Sequence, residues 1–117
     1  MRNEAQVFKA LADETRLKMV ALLLKRGELC VCDFEGGMGI SQSKSSRHLR
    51  YLQQAGLLED RREAVWVYYR VNPKPSALQK AALKAVETLF ESEPIKVAEV
   101  QFDKWLKTKN CGKARAR

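Results

Sequence analysis

Ser41-Gln42-Ser43-Lys44-Ser45-Ser46-Arg47-His48-Leu49-Arg50-Tyr51-Leu52-Gln53-Gln54-Ala55-Gly56 is the stretch that decides the fold of this chain. Ser41 suits a helix N-cap, because its hydroxyl can accept an orphan backbone N–H, and Gly56 suits the position just past the end. Rotating each residue by 100° places Ser45, Leu49 and Leu52 within about 60° of one another. Ser43, Ser46, Arg47, Arg50 and Gln54 fall on the opposite half. That outer face carries hydroxyls, amides and guanidiniums, with no acidic residue to balance it. Arginine can bond guanine O6 and N7 or a phosphate, and serine and glutamine approach base edges closely. The segment reads as a DNA-recognition helix. Gln42, Ser43, Ser45, Ser46, Arg47 and Arg50 are its candidate DNA contacts, and a plain solvated helix face is the alternative.

Downstream, Leu57 to Asp60 and Val65 to Val71 read as two strands of a hairpin. Val65, Val67, Tyr69 and Val71 alternate with Trp66, Tyr68 and Arg70. Arg61, Arg62 and Glu63 occupy the expected tip, so Arg61 and Arg62 would face a DNA backbone if the hairpin is a wing. An unpaired surface turn is the other reading, and no glycine marks the tip.

Upstream, Val7, Phe8 and Leu11 suggest a short first helix, and Asp13 can cap a second one. The second helix shows the stripe Leu17, Val20, Ala21 and Leu24 and stops at Gly27. A third element begins near Glu28 and carries Leu29, Val31 and Phe34. Gly36, Gly37 and Gly39 should stop it, so a short helix is expected. After Pro73 and Pro75, Leu78, Ala82, Ala85, Val86, Leu89 and Phe90 form another stripe. A last one follows Pro94, with Ile95, Ala98, Phe102, Trp105 and Leu106 on one face.

This terminal apolar surface exceeds what a small winged helix needs, and homodimerisation is its natural use. Val7, Phe8, Leu89, Phe102 and Trp105 are the candidate interface. Packing of the terminal helix within one protomer is the alternative. Residues 1–110 thus form one DNA-binding domain with dimerisation helices. Residues 111–117 belong to a basic tail, to which Lys107, Lys109, Lys113, Arg115 and Arg117 contribute. The expected class is mainly α (α+β), a winged helix-turn-helix with a two-stranded wing.

At 117 residues the chain is the size of one domain, and its net charge of +8 favours a polyanionic partner. No apolar run approaches a membrane span, and the N-terminus lacks a signal peptide's apolar stretch, so a cytoplasmic location is expected. A single histidine, no glycine-rich phosphate loop and no paired carboxylates in an apolar setting argue against catalysis.

The three cysteines carry the remaining chemistry. An odd number in a reducing compartment reads as metal-binding or redox thiols rather than a disulfide framework. Cys30 and Cys32 lie where the helix before the reader should begin, which suggests a switch. In a regular helix, positions i and i+2 point about 200° apart. Clamping one ion between them should therefore deform that turn and shift the helix behind it. His48 lies beside the buried face and reads as a packing or hydrogen-bonding residue rather than a ligand.

The runs Ala10-Leu11-Ala12-Asp13-Glu14-Thr15-Arg16-Leu17, Glu28-Leu29-Cys30-Val31-Cys32-Asp33, Ser46-Arg47-His48-Leu49, Ala55-Gly56-Leu57-Leu58 and Trp66-Val67-Tyr68-Tyr69-Arg70 together resemble the ArsR/SmtB family of metal-responsive repressors. The likeness is to its arsenical-resistance branch. It implies a homodimeric winged-helix repressor that holds an imperfectly palindromic double-stranded operator and releases it when a thiophilic ion binds. Within the family motif, Arg16 has a structural role or contacts a phosphate.

Thiolates accept arsenite, antimonite, cadmium, lead, zinc and copper(I) alike. The family's histidine-carboxylate zinc site has no counterpart on the C-terminal helices, and no cysteine precedes Cys30 to supply the cadmium and lead sensors' N-terminal thiols. Trivalent arsenic or antimony is the expected inducer, and no resident cofactor is required. The best-known arsenite pattern has a third cysteine three residues after the second, where Glu35 stands here. Cys111 can supply the third sulfur. If it is spare, methylated or aryl arsenicals or a ternary complex with a small thiol are favoured. A cadmium or lead sensor, a thiol redox or persulfide sensor of the same fold, and a thiol metallochaperone stay open as alternatives.

Overall fold

The computed structural model describes residues 1–109. Its elements run α1 (Arg2–Leu11), α2 (Glu14–Arg26), β1 (Leu29–Cys30), α3 (Val31–Met38), α4 (Gln42–Gln54), β2 (Leu58–Glu63), β3 (Trp66–Val71), α5 (Ala77–Glu87) and α6 (Glu93–Thr108). Local chemistry sets the boundaries. Asp13 accepts the Arg16 N–H at 3.0 Å to begin α2, Ser41 accepts that of Lys44 at 3.2 Å to begin α4, and Gly27 ends α2 with φ of 88°. Ser76 and Gln79 exchange reciprocal bonds at the start of α5.

α2 is the central helix. Met19 through Leu23 are all buried, so its apolar surface is wider than the single stripe read from the sequence. Around it pack Phe34, Leu49, Leu52, Leu57 and Phe102, each essentially without solvent exposure. β2 and β3 pair antiparallel with Leu58 opposite Val71 and Glu63 opposite Trp66. The sheet gains a third strand that sequence patterning does not signal: β1 pairs with β3, placing Leu29 opposite Tyr69 and Cys30 opposite Tyr68. Two residues are too few to show a period of two.

The third element differs from expectation at both ends. It begins as strand, and its helix runs through Gly36 and Gly37 to end at Gly39, whose φ is 67°. Gly36 and Gly37 do not stop the helix; they let α6 approach it. A Cβ at Gly36 would collide with the Trp105 indole, and one at Gly37 would lie 2.5 Å from the Phe102 ring. Phe34 and Phe102 meet edge to face at 5.7 Å. These contacts dock α6 on α3 and account for most of the terminal apolar stripe. Val7 and Phe102, at 3% and 0% exposure, are therefore core residues and not the surface for a partner that the sequence suggests.

Candidate functional site: thiols beside a DNA-reading face

α4 presents the face its sequence predicts. Gln42, Ser43, Arg47 and Arg50 are exposed, Ser46 is half-buried, and Leu49 and Leu52 point into the core. Ser45 is corrected. It has no solvent exposure, and its hydroxyl lacks a hydrogen-bond partner among the described residues, so it cannot touch DNA. Its place in the buried arc with Leu49 already pointed that way.

The wing also departs from expectation. Arg61, Arg62 and Glu63 lie within β2, and the turn falls at Ala64 and Val65, where Ala64 takes a φ of 56°. Adjacent strand residues face opposite ways. Arg61 bonds Glu28 through Nε and Nη2 at 2.8 and 2.7 Å, reaches Glu63 at 2.6 Å, and stacks on Tyr68 at 4.6 Å. It is thus an exposed residue of the wing whose guanidinium is already paired with two carboxylates. Arg62, on the other face, has no ion pair among the described residues.

Two polar networks hold the helices around α4. Arg16 donates through Nε to the Ala10 carbonyl at 2.7 Å, through Nη1 to His48 Nδ1 at 3.1 Å and through Nη2 to the Lys9 carbonyl at 3.3 Å. It also lies 4.2 Å over the Tyr51 ring. Arg16 therefore ties α1, α2 and α4 together in a structural role, and His48 is its acceptor. Burial, and then the neighbouring cations, hold the His48 pKa below the ordinary 6.5, which keeps its imidazole neutral for that bond.

The second network surrounds the thiols. Cys30 is extended, with φ of −80° and ψ of 152°, and only then does α3 begin. With Cys30 as N-cap, the 200° separation of a regular helix does not apply, and the Cys30 and Cys32 sulfurs lie 3.1 Å apart. The expected deformation of a helical turn is unnecessary, because the two sulfurs already converge. Burial raises the pKa of the Cys30 thiol above its usual range; the Asp33 charge adds to this and Lys109 opposes it.

Asp33 accepts the Cys30 amide on Oδ2 at 2.8 Å, and on Oδ1 it accepts Trp105 Nε1 at 3.2 Å and Lys109 Nζ at 2.7 Å. Lys109 reads from sequence as part of a basic tail, yet its side chain is 5% exposed and α6 extends to Thr108. Sequence patterning missed Asp33, Trp105 and Lys109 as partners. The capping position of Asp33 three residues after Cys30 was the available signal.

A cleft of about 520 Å³ joins the two cysteines to α4 and the wing. Cys30, Cys32 and Glu35 form one wall, Gln42, Ser46 and Arg50 a second, and Arg62, Trp66 and Tyr69 a third. Burial raises the Tyr69 pKa, assisted by Asp60 and opposed by Arg50 and Arg62, whose charges reach this wall. Among the described residues no group of three or more histidine, cysteine or acidic side chains is arranged to hold a metal ion. Cys111 lies outside the described residues.

Residues 13–60, which span the capped α2, the thiols and the recognition helix, match the model of the arsR family of bacterial regulatory proteins. The arsenical resistance operon repressor of Escherichia coli is 44% identical over 106 residues, covering 91% of this chain and 86% of that protein. The chain belongs to the ArsR family. The arsenic resistance transcriptional regulator ArsR1 of Pseudomonas putida is 50% identical over 80 residues, covering 68% of this chain and 62% of its own length. Reduced HlyU from Vibrio cholerae superposes with a TM-score of 0.64 at 32% identity, over 78% of this chain and 92% of that one. The AntR antimony-specific transcriptional repressor gives 0.58 at 28%, over 73% and 74%. The family is one of DNA-binding winged-helix regulators, not enzymes, and the likeness is strongest to its arsenical repressors. No described helix is long and apolar enough to cross a membrane.

Proposed function

We propose that this chain is a repressor that grips operator DNA as a homodimer and releases it when trivalent arsenic or antimony binds Cys30 and Cys32. The observation that carries this reading is the single cleft lined by two sulfurs 3.1 Å apart and by Gln42, Ser46, Arg50 and Arg62. An ion on the sulfurs sits in the same cleft as the side chains read as facing DNA. Soft thiolates select soft ions. The Cys32 sulfur is disulfide-bonded in this structure, so the ion acts on the reduced protein; there arsenous acid reacts without net charge change: each thiol exchanges its proton for arsenic, and the displaced hydroxide leaves with that proton as water.

Cys111 is the candidate third sulfur. It follows Lys109 by two residues, a reach of roughly 7 Å, and Lys109 is fixed on Asp33 beside Cys30. The loop-closure cost expected for a distant tail thiol is thereby reduced, because α6 itself returns the chain to α3. For the dimer, Phe8, Val97 and Val100 on α1 and α6 are exposed at 62%, 51% and 59%. Leu89 and Trp105 remain candidates at its edge. Two recognition helices about 34 Å apart would read an imperfect palindrome.

The test is fluorescence anisotropy of the chain's own upstream DNA, titrated with protein and then with arsenite, phenylarsenite, cadmium, zinc or peroxide. Arsenite is expected to release DNA from the wild type, and Cys32→Ser to bind DNA normally without releasing it. Tight binding that no arsenical relieves would refute the reading. A redox reading has its own support in the close sulfurs and the likeness to reduced HlyU. Release by peroxide, reversed by reductant and without any arsenite response, would select it.

A further inference from the structure

Asp33 is the sole fully buried carboxylate among the described residues, and its position serves two elements at once. Through Oδ2 it fixes the amide of Cys30, and through Oδ1 it fixes Trp105 and Lys109 at the last turn of α6 and just beyond it. Packing alone does not require this. Gly36 against Trp105, Gly37 against Phe102 and Phe34 against Phe102 already hold α3 to α6. A buried ion pair adds little net stability over an apolar pair of the same shape, so stability is a poor reason for one here.

We propose that Asp33 is a positioning residue through which occupancy of the thiols is coupled to the docking of α6. This rests on the reading of Cys30 and Cys32 as the metalloid thiols. The sulfurs already converge, but Cys30 is 1% exposed and its amide is fixed on Asp33, so an ion on its sulfur must displace the packing around it and load the Cys30–Asp33 bond. The carboxylate holding that amide is one rigid group, so a change at Oδ2 alters what Oδ1 offers to Trp105 and Lys109. α6 then shifts against α3, and only Gly39, Ile40 and Ser41 separate α3 from the recognition helix. This route is distinct from crowding of the cleft, which involves neither Trp105 nor Lys109. Coupling between sites is reciprocal: whatever loosens α6 also changes metalloid affinity.

Lys109→Met removes the ammonium, keeps most of the apolar stem and leaves the Cys30–Asp33 bond in place. The quantity to measure is the ratio of operator Kd with saturating arsenite to that without, on the full chain. Native mass spectrometry records arsenite occupancy in parallel. The wild type should show a large ratio and an arsenite-dependent shift of the Trp105 indole N–H resonance, told apart from Trp66 by Trp66→Phe. Lys109→Met should still bind arsenite and hold its ligand-free Kd within about threefold, while its ratio falls at least about fivefold, the lower edge of typical allosteric coupling.

A purely structural ion pair would lower the melting temperature of Lys109→Met yet leave the ratio and the indole shift as in wild type. That result overturns the proposal, as would release driven by crowding of the cleft alone. If Lys109→Met does not fold, Trp105→Phe carries the same test, since it keeps an aromatic ring on α6 while losing the N–H and part of the contact with Gly36. A wild type that neither binds nor responds to arsenite would refute the metalloid reading and the coupling with it. A responsive wild type with unchanged ratios in both variants refutes the coupling alone.

Discussion

The Arg16 and Asp33 networks are built alike and placed differently. Each centres on one charged group that gathers partners from separate helices: a guanidinium with two carbonyls and an imidazole, and a carboxylate with an amide, an indole and an ammonium. The Arg16 network lies on the side of α4 away from the sulfurs and joins α1 and α2 to it. The Asp33 network includes Cys30 itself and lies on the opposite side of the recognition helix. One charged knot therefore serves to hold the reader in place, whereas the other can register a change of state. Geometry does not distinguish them; the adjacent thiols do.

The largest expected effect tests the purely structural member. Arg16→Met loses three hydrogen bonds and the stacking on Tyr51, so it should cost about 2–4 kcal/mol in urea unfolding. Lysine should not rescue it, because one ammonium cannot reach the Ala10 and Lys9 carbonyls and His48 together. The factor by which arsenite weakens operator binding should be unchanged in any folded fraction. A loss of that factor in Arg16→Met would erase the distinction between the networks.

Proton stoichiometry tests the other member. Because burial keeps the Cys30 thiol above its usual pKa, it is protonated at neutral pH. A divalent cation must expel that proton, so cadmium affinity should rise about tenfold per pH unit for each proton released. Arsenous acid carries the proton away as water, and its affinity should be flat between pH 6 and 8. Competition titrations across that range would show it. A flat cadmium curve would remove Cys30 from the ligand set or show it already ionised.

These contrasts also mark what the sequence can reveal. The capped α2, the face of α4 and the hairpin were legible because each rests on periodicity or a local cap. β1 was not, since two residues carry no period, and the convergence of Cys30 and Cys32 depended on it. Gly36 and Gly37 read as helix stops because glycine serves equally for a stop and for a close helix contact; only the position of Trp105 and Phe102 decides. Arg61 and Arg62 look equivalent until register puts them on opposite faces of β2. Ser45 belonged to the buried arc by angle, and its polarity hid that. Its hydroxyl is buried without a partner among the described residues, unlike the groups in either network. Ser45→Ala should therefore gain roughly 0.5–1 kcal/mol, from recovered desolvation and helix propensity. Operator affinity should not change; a clear fall would return the residue to the DNA interface.

The smallest effect concerns the acid limb of the Arg16 network. Burial, followed by the charges of Arg16, Arg47 and Lys44, holds the His48 pKa below 6.5, and Asp13 opposes them only in part. A histidine depressed on folding binds more protons when unfolded, so stability rises with pH. Its contribution is present above pH 6.5 and is lost as pH falls through the lowered folded value, where protonation would set a second donor against the Arg16 guanidinium. His48→Gln keeps an acceptor for Arg16 and cannot titrate. The wild type should therefore lose more stability than His48→Gln between pH 7.5 and pH 5, read as the difference in urea midpoints. Subtracting the variant removes the carboxylates common to both proteins. Parallel loss in the two would show that His48 is protonated at no cost, and that Arg16 is held by the carbonyls of α1 and by Tyr51 alone.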